Sequence, residues 1–254
     1  MFSKHEKPHP IQVDPQRESE IHENISEVLN DIENNKVERA RLVMVSKPNP
    51  ASDCAAAFSS GQLHFGENYV QELVEKSLEV NHFYPFMFLP HEIRWHFIGR
   101  LQSNKCKALA SIPNLWAIET IDSEEKAKKM NDAWAAANHD EPLNIYVQVN
   151  TSNEPNKGGV EPDDLIRVCT SIDKTCPNLN FLGLMTIGSV ENSALSPNPD
   201  FVKLAELRDE ISSVLGYQLE LSMGMSSDYQ DALKLGSNNV RVGSKIFGSR
   251  APKA

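Results

Sequence analysis

What most constrains this chain is a rhythm. A short apolar run, a turn and an amphipathic stretch return about eight times along its 254 residues. The apolar runs fall at 42–45, 63–65, 94–98, 115–119, 143–149, 179–184, 219–221 and 239–242, and most are followed by helical spacing. Strands that alternate with helices predict a parallel sheet with helices outside it. Eight such units fit a closed (β/α)8 TIM-type barrel, with an open doubly wound sheet as the alternative. Ile21, Ile25, Val28, Leu29 and Ile32 stand at helical spacing and predict one extra helix before the first strand. The polar, proline-bearing segment 1–19 is expected to be flexible, and 20–254 to form one domain, because no composition break divides the series.

Charge excludes several partners. The net charge of −10 argues against nucleic acid and against adsorption to anionic membranes, both of which require a basic face. The apolar runs are too short to span a bilayer. The N-terminal stretch has neither the apolar core of a secretion signal nor the acid-poor character of a transit peptide. Cys54, Cys106, Cys169 and Cys176 show no C-x-x-C pairing and read as reduced thiols, with no zinc site and no disulfide framework. A cytoplasmic location is expected, with a mitochondrial pool left open.

The active face of such a barrel lies at the carboxyl ends of its strands. The run RLVMVSKPNP at 41–50 places Lys47 at the end of the first strand, where Pro48 and Pro50 stop the ladder. A partly desolvated amine there is a nucleophile toward a carbonyl; the plainer reading is a lysine that snorkels to water. His96 sits inside a strand and reads as a satisfied core or rim histidine. Glu67 is either a base or the ion-pair partner of Lys47. No cluster with metal-ligand spacing converges on the strand ends, so no metal is predicted.

The last two strand ends carry a second signal. Barrels of this type often bind phosphate at the loops after strands seven and eight. Here those loops offer Gly224, Ser226 and Ser227, then Gly243 and Ser244. Glycine exposes backbone N–H groups and serine supplies hydroxyl donors. A phosphate cradle and an aldehyde-reactive lysine on one barrel mouth point to pyridoxal 5′-phosphate. Arg241 shares a strand face with Gly243. If that face is inward, its guanidinium can donate to the pyridine nitrogen and hold it unprotonated, which makes the ring a weak electron sink; the alternative is a surface ion pair.

The stretches LVMVSKPNP, HFGENYVQELVEKS, WHFIGRLQSNK, VQVNTS, GLMTIGS, LSMGMSSD and NVRVGSKIFGSR occur in order between residues 21 and 250. In these blocks the chain resembles the pyridoxal phosphate homeostasis proteins, small barrels similar to the N-terminal domain of alanine racemase. The resemblance implies that Lys47 carries the cofactor as a Schiff base (an internal aldimine) and that Ser226, Ser227, Gly243 and Ser244 hold its phosphate. It implies further that Arg241 faces the pyridine nitrogen and that Asn68 lies near the ring. The implied role is cofactor handling in B6 vitamer and amino-acid balance, without an established reaction. Apoenzymes that use pyridoxal phosphate are the implied partners, and the protein is expected to be a monomer or weak dimer. The chain departs from the family pattern at the aromatic segment 83–90 and at Gly158-Gly159. An amino-acid racemase is the competing reading. It needs a second acid/base group, which alanine racemase takes from a further domain, and no such domain is expected after strand eight here. A Schiff-base aldolase is the third.

Overall fold

The structure is a computed structural model that describes residues 13–83, 92–154 and 157–248. It opens with helix α1 (Pro15–Asn35), which starts earlier than the sequence pattern suggests. Asp14 accepts a hydrogen bond from the Gln16 amide at 3.0 Å, and Pro15 occupies the first turn, where its missing N–H costs nothing. Arg17, in the segment expected to be loose, donates to Asp53 at 2.8 Å and to the Phe247 carbonyl at 2.7 Å. Residues 15–19 are therefore helical and anchored, which corrects the expected boundary at residue 19. Ile21, Ile25, Val28 and Ile32 form the buried stripe of α1.

Among the described residues eight strands follow: β1 (Arg41–Val45), β2 (His64–Glu67), β3 (Arg94–Phe97), β4 (Leu115–Ile121), β5 (Leu143–Gln148), β6 (Leu179–Met185), β7 (Glu220–Met225) and β8 (Asn239–Val242). All neighbours pair in parallel in chain order, and β1 pairs with β8 through Val43↔Arg241 and Met44↔Val242, which closes the barrel. The TIM-type barrel is thus the fold, and the open sheet is not. Between the strands lie α2 (Ala51–Ser59), α3 (Val70–Phe83), α4 (Cys106–Ala110), α5 (Glu124–Ala136), α6 (Leu165–Thr175), α7 (Pro199–Leu215) and α8 (Tyr229–Lys234). Helix α9 (Ser244–Phe247) comes last.

The two faces of the sheet differ in chemistry. Leu42, Met44, Phe65, Trp95 and Phe97 join the apolar cluster that the helices cover. The alternate residues point inward, and many are polar: Arg41, His64, His96, Glu119, Tyr146, Ser222, Asn239 and Arg241 are linked by hydrogen bonds across the barrel. Those partners explain why two strands outrun the apolar pattern. β4 continues to Ile121 because Glu119 is satisfied inside, and β7 continues from Glu220 to Met225 because Ser222 is. α2 starts at Ala51, so Ser52 and Asp53 lie within it rather than capping it, and Asp53 serves Arg17 instead. Ser123 does cap α5, accepting from the Lys126 amide at 3.3 Å. Phe83, the first residue of the aromatic segment 83–90, is the last of α3; residues 84–91 lie outside the described residues. Gly99 is required sterically, since a Cβ there would stand 1.8 Å from the Asn68 carbonyl oxygen.

Candidate functional site

A cavity of about 510 Å³ opens at the carboxyl ends of β1, β7 and β8, within the range that holds small ligands. It is lined by Lys47, Ser226, Ser227, Arg241, Gly243 and Ser244, six of the seven residues singled out from the sequence. Its lining contains two cationic side chains and three hydroxyls and no carboxylate, a donor set suited to an anionic ligand. A larger cavity, about 670 Å³, lies at the amino ends of β4, β5 and β6. Asp140 and Glu141 line it and no lysine, arginine or serine does, so it offers no comparable anion partner. Among the described residues, no group of three or more His, Cys, Asp or Glu could hold a metal ion.

Lys47 stands two residues beyond the end of β1. The Ser46 amide prolongs the ladder by donating to the Gly66 carbonyl at 3.1 Å. The peptide before Lys47 is fixed from behind. Lys76 of α3 donates to the Ser46 carbonyl at 3.1 Å and to Glu67 at 2.7 Å, and the Ser46 hydroxyl donates to Glu67 at 2.5 Å. Glu67 is thus the buried partner of Lys76, which corrects its expected roles as a base or as the partner of Lys47. Burial pushes the Glu67 carboxyl up, and Lys76 opposes that shift.

On the far wall, the Gly243 amide donates to Ser226 Oγ at 3.2 Å, which ties the loops after β7 and β8 together. Asp228 shapes the first of these loops by accepting from the Met225 amide at 2.7 Å. Gly224 was expected to bring backbone close to a ligand, but it does not line the cavity. It has φ +93°, and a Cβ there would come within 2.6 Å of Ala232, so its role is to let α8 pack.

Arg241 is buried, not paired at the surface. Its Nη1 donates to Ser222 Oγ at 2.6 Å and its Nη2 to the Thr186 carbonyl at 2.8 Å. Burial lowers its pKa, and Glu119, 3.8 Å away, opposes that. His96 is the satisfied core histidine the sequence suggested: Nδ1 lies 2.5 Å from Glu119, and Nε2 lies 2.8 Å from His64 Nδ1. Asn68 does not line the cavity; its Oδ1 is buried without a hydrogen-bond partner. The sequence reading missed Ser222, Glu119 and Asn239. The available signal was Glu119 itself, a charge within a buried strand that must find a partner inside the barrel.

A closed parallel barrel with a lysine at the end of its first strand and hydroxyls on its last two loops defines the class. The family model "Alanine racemase, N-terminal domain" matches residues 17–251. The chain belongs, within that class, to the pyridoxal phosphate homeostasis protein family. It is 51% identical over 210 residues to the pyridoxal phosphate homeostasis protein of Schizosaccharomyces pombe, covering 82% of this chain and 84% of that one. It is 47% identical over 214 residues to the human protein of the same name, covering 83% of this chain and 76% of that one. Among solved structures, PipY of Synechococcus elongatus PCC7942 with PLP bound superposes with a TM-score of 0.75 at 29% identity, covering 90% of this chain and all of that one. Alanine racemase of Clostridium difficile 630 shares the fold alone, with a TM-score of 0.67 at 16% identity over 91% of this chain and 60% of that one.

Proposed function

We propose that this protein binds pyridoxal 5′-phosphate reversibly and takes part in B6 vitamer and amino-acid homeostasis as a carrier of that cofactor, not as a catalyst. The observation that carries the reading is the convergence of Lys47 with Ser226, Ser227, Arg241, Gly243 and Ser244 on one cavity. These residues fit the cofactor's three handles. The serine hydroxyls match a phosphate, the Arg241 guanidinium matches the acceptor nitrogen of a pyridine, and the Lys47 amine matches an aldehyde. When bound, the cofactor supplies an electrophilic carbon for covalent attachment and a conjugated ring as an electron sink.

The protein's own residues keep that sink weak. Arg241 does not release its proton at physiological pH, so with the cofactor bound its N–H would donate toward the ring nitrogen and would leave it unprotonated. Ser226 and the Gly243 amide fasten the two anion-binding loops to each other, and Lys76 with Glu67 anchors the strand end that bears Lys47. Racemisation would need an acid/base group on each side of the substrate carbon. Among the described residues lining the cavity, Lys47 is accompanied by no histidine, carboxylate, thiol or phenol that could serve the second side. This supports the carrier reading over a racemase. Apoenzymes that use the cofactor are the proposed recipients, and the protein is proposed to act in the cytoplasm as a monomer or weak dimer. Among the described residues no helix is long and apolar enough to cross a membrane.

The test is spectroscopic. Purified protein given the cofactor should show a visible band that borohydride removes, and peptide mapping should find the pyridoxyl group on Lys47. Lys47→Ala should show no such band. A band that survives this substitution refutes the site, steady production of D-alanine from L-alanine would restore the racemase, and a protein that remains colourless favours the aldolase.

A further inference from the structure

We propose that Glu119, acting through Ser222, is the positioning residue of Arg241, so that a carboxylate in the barrel core balances the charge and fixes the orientation of the guanidinium that meets the cofactor ring. The inference rests on the carrier reading above and adds to it a residue that touches no ligand.

The geometry is a chain of buried hydrogen bonds along the barrel interior. Arg241 Nη1 donates to Ser222 Oγ at 2.6 Å, and Ser222 Oγ lies 2.5 Å from Glu119 Oε2. Glu119 Oε1 meets His96 Nδ1 at 2.5 Å and Asn239 Nδ2 at 3.0 Å, and His96 Nε2 meets His64 Nδ1 at 2.8 Å. Glu119, His96, Ser222 and Asn239 have no solvent exposure, and Arg241 is 4% exposed. Trp116 packs on both imidazoles, with ring centroids 4.7 Å from His96 and 4.9 Å from His64.

Counting protons shows that Glu119 directs every bond in this chain. His96, Arg241 and Ser222 hold its carboxyl below the usual range against the opposing effect of burial, so it is ionised and only accepts. The proton on His96 must then sit on Nδ1, and Nε2 must accept from His64 Nδ1–H. The Ser222 hydroxyl hydrogen must likewise point at Glu119, which leaves the Ser222 lone pairs to accept from Arg241 and Asn239. Protonating Glu119, or replacing it with an amide, would reverse one of these bonds. A donor would then face the Ser222 hydroxyl, and the hydroxyl hydrogen would turn toward the guanidinium. The other groups nearby do not substitute. Tyr146 and Arg41 are committed to Glu220, and Asp228 to the Met225 amide.

A buried ion pair is a costly way to fill a core, because apolar residues of the same volume are usually neutral or stabilising. Its position directly beneath a ligand-lining arginine is what a merely structural pair would not need. With Glu119 present a bound ring nitrogen would meet a guanidinium whose charge is balanced; without it, the uncompensated positive charge would disfavour a second positive charge on the bound cofactor.

The experiment compares wild type, Glu119→Gln and Ser222→Ala, each reconstituted with pyridoxal 5′-phosphate. It reads the pH midpoint at which the visible band converts to its deprotonated form, and the cofactor Kd. Glu119→Gln should lower the midpoint by about one pH unit, Ser222→Ala, which keeps the carboxylate 3.8 Å from the guanidinium but frees its orientation, should lower it by less, and in both Kd should rise about tenfold. In the cofactor-free protein, the His96 Nδ1–H proton should give a far-downfield NMR resonance that Glu119→Gln abolishes. Ser222→Ala is a small change and keeps the test decisive if Glu119→Gln does not fold. A purely structural pair would lower thermal stability and leave the midpoint unmoved, and that result overturns the inference. A colourless wild type overturns the carrier reading and this inference with it; a coloured wild type with unchanged variants overturns the inference alone.

Discussion

Lowering the pH from about 7 to about 5 should cost the native protein about 2 kcal/mol through His64 alone. Burial, together with the neighbouring His96, Arg41 and Arg94, pushes the His64 imidazole down from 6.5 to about 2. The folded protein therefore keeps this ring neutral throughout the interval, while the unfolded chain takes up a proton as the pH drops through its ordinary value. The unfolded state binds more protons, so this contribution to stability is intact above the unfolded pKa and is lost as the pH falls. The slope approaches about 1.36 kcal/mol per pH unit, and integrating it over the interval gives about 2 kcal/mol. The result is insensitive to the folded value as long as that stays below about 4. His64→Asn places an amide N–H near the former Nδ1 donor and removes the titration. Urea unfolding of both proteins at both pH values checks the argument, and the variant should lose about 2 kcal/mol less than wild type. Equal losses in the two proteins would refute the claim that the ring is held neutral.

Lys76→Met should destabilise the protein by about 3 kcal/mol or more, because it strands the buried Glu67 carboxylate. Adding Glu67→Gln should recover part of the loss in urea unfolding, and a double variant no better than the single would count against the pairing. Lys76→Met should also weaken cofactor retention, measured by dialysis, since Lys76 holds the peptide before Lys47. Ser226→Ala with Ser227→Ala should weaken retention by a few kcal/mol at most, as expected for charge-assisted hydrogen bonds, and unchanged retention would place the anion site elsewhere.

The barrel was legible because a strand buried on one or both faces leaves a short apolar run and a covering helix leaves a 3.6-residue spacing. Those patterns located all eight strands. Their ends were less legible. Strand β7 read as three residues, yet hydrogen bonds inside the barrel carry it through Ser222 to Met225. Helix α1 read as starting near Ile21, but a cap at Asp14 and the long-range partners of Arg17 extend it to Pro15. Within the site, Lys47 and the two serine-bearing loops announced themselves by residue type at strand ends. Glu67 was misread, because its proximity in sequence to the strand end says nothing about Lys76, which approaches it from a helix on the outside of the barrel.

The linear order of residues by itself determined the class of fold, the strand end that bears the lysine and the loops that present hydroxyls, because each follows from local periodicity and side-chain chemistry. Tertiary structure alone decided which polar groups share the barrel interior. Glu119 and Ser222 are 103 residues apart and Arg41 and Glu220 are 179 apart, and only closure of β8 onto β1 brings such groups within hydrogen-bonding distance. The physical reason is that a buried charge must be neutralised by a partner in space, and the chain's sequence records the charge but not the neighbour.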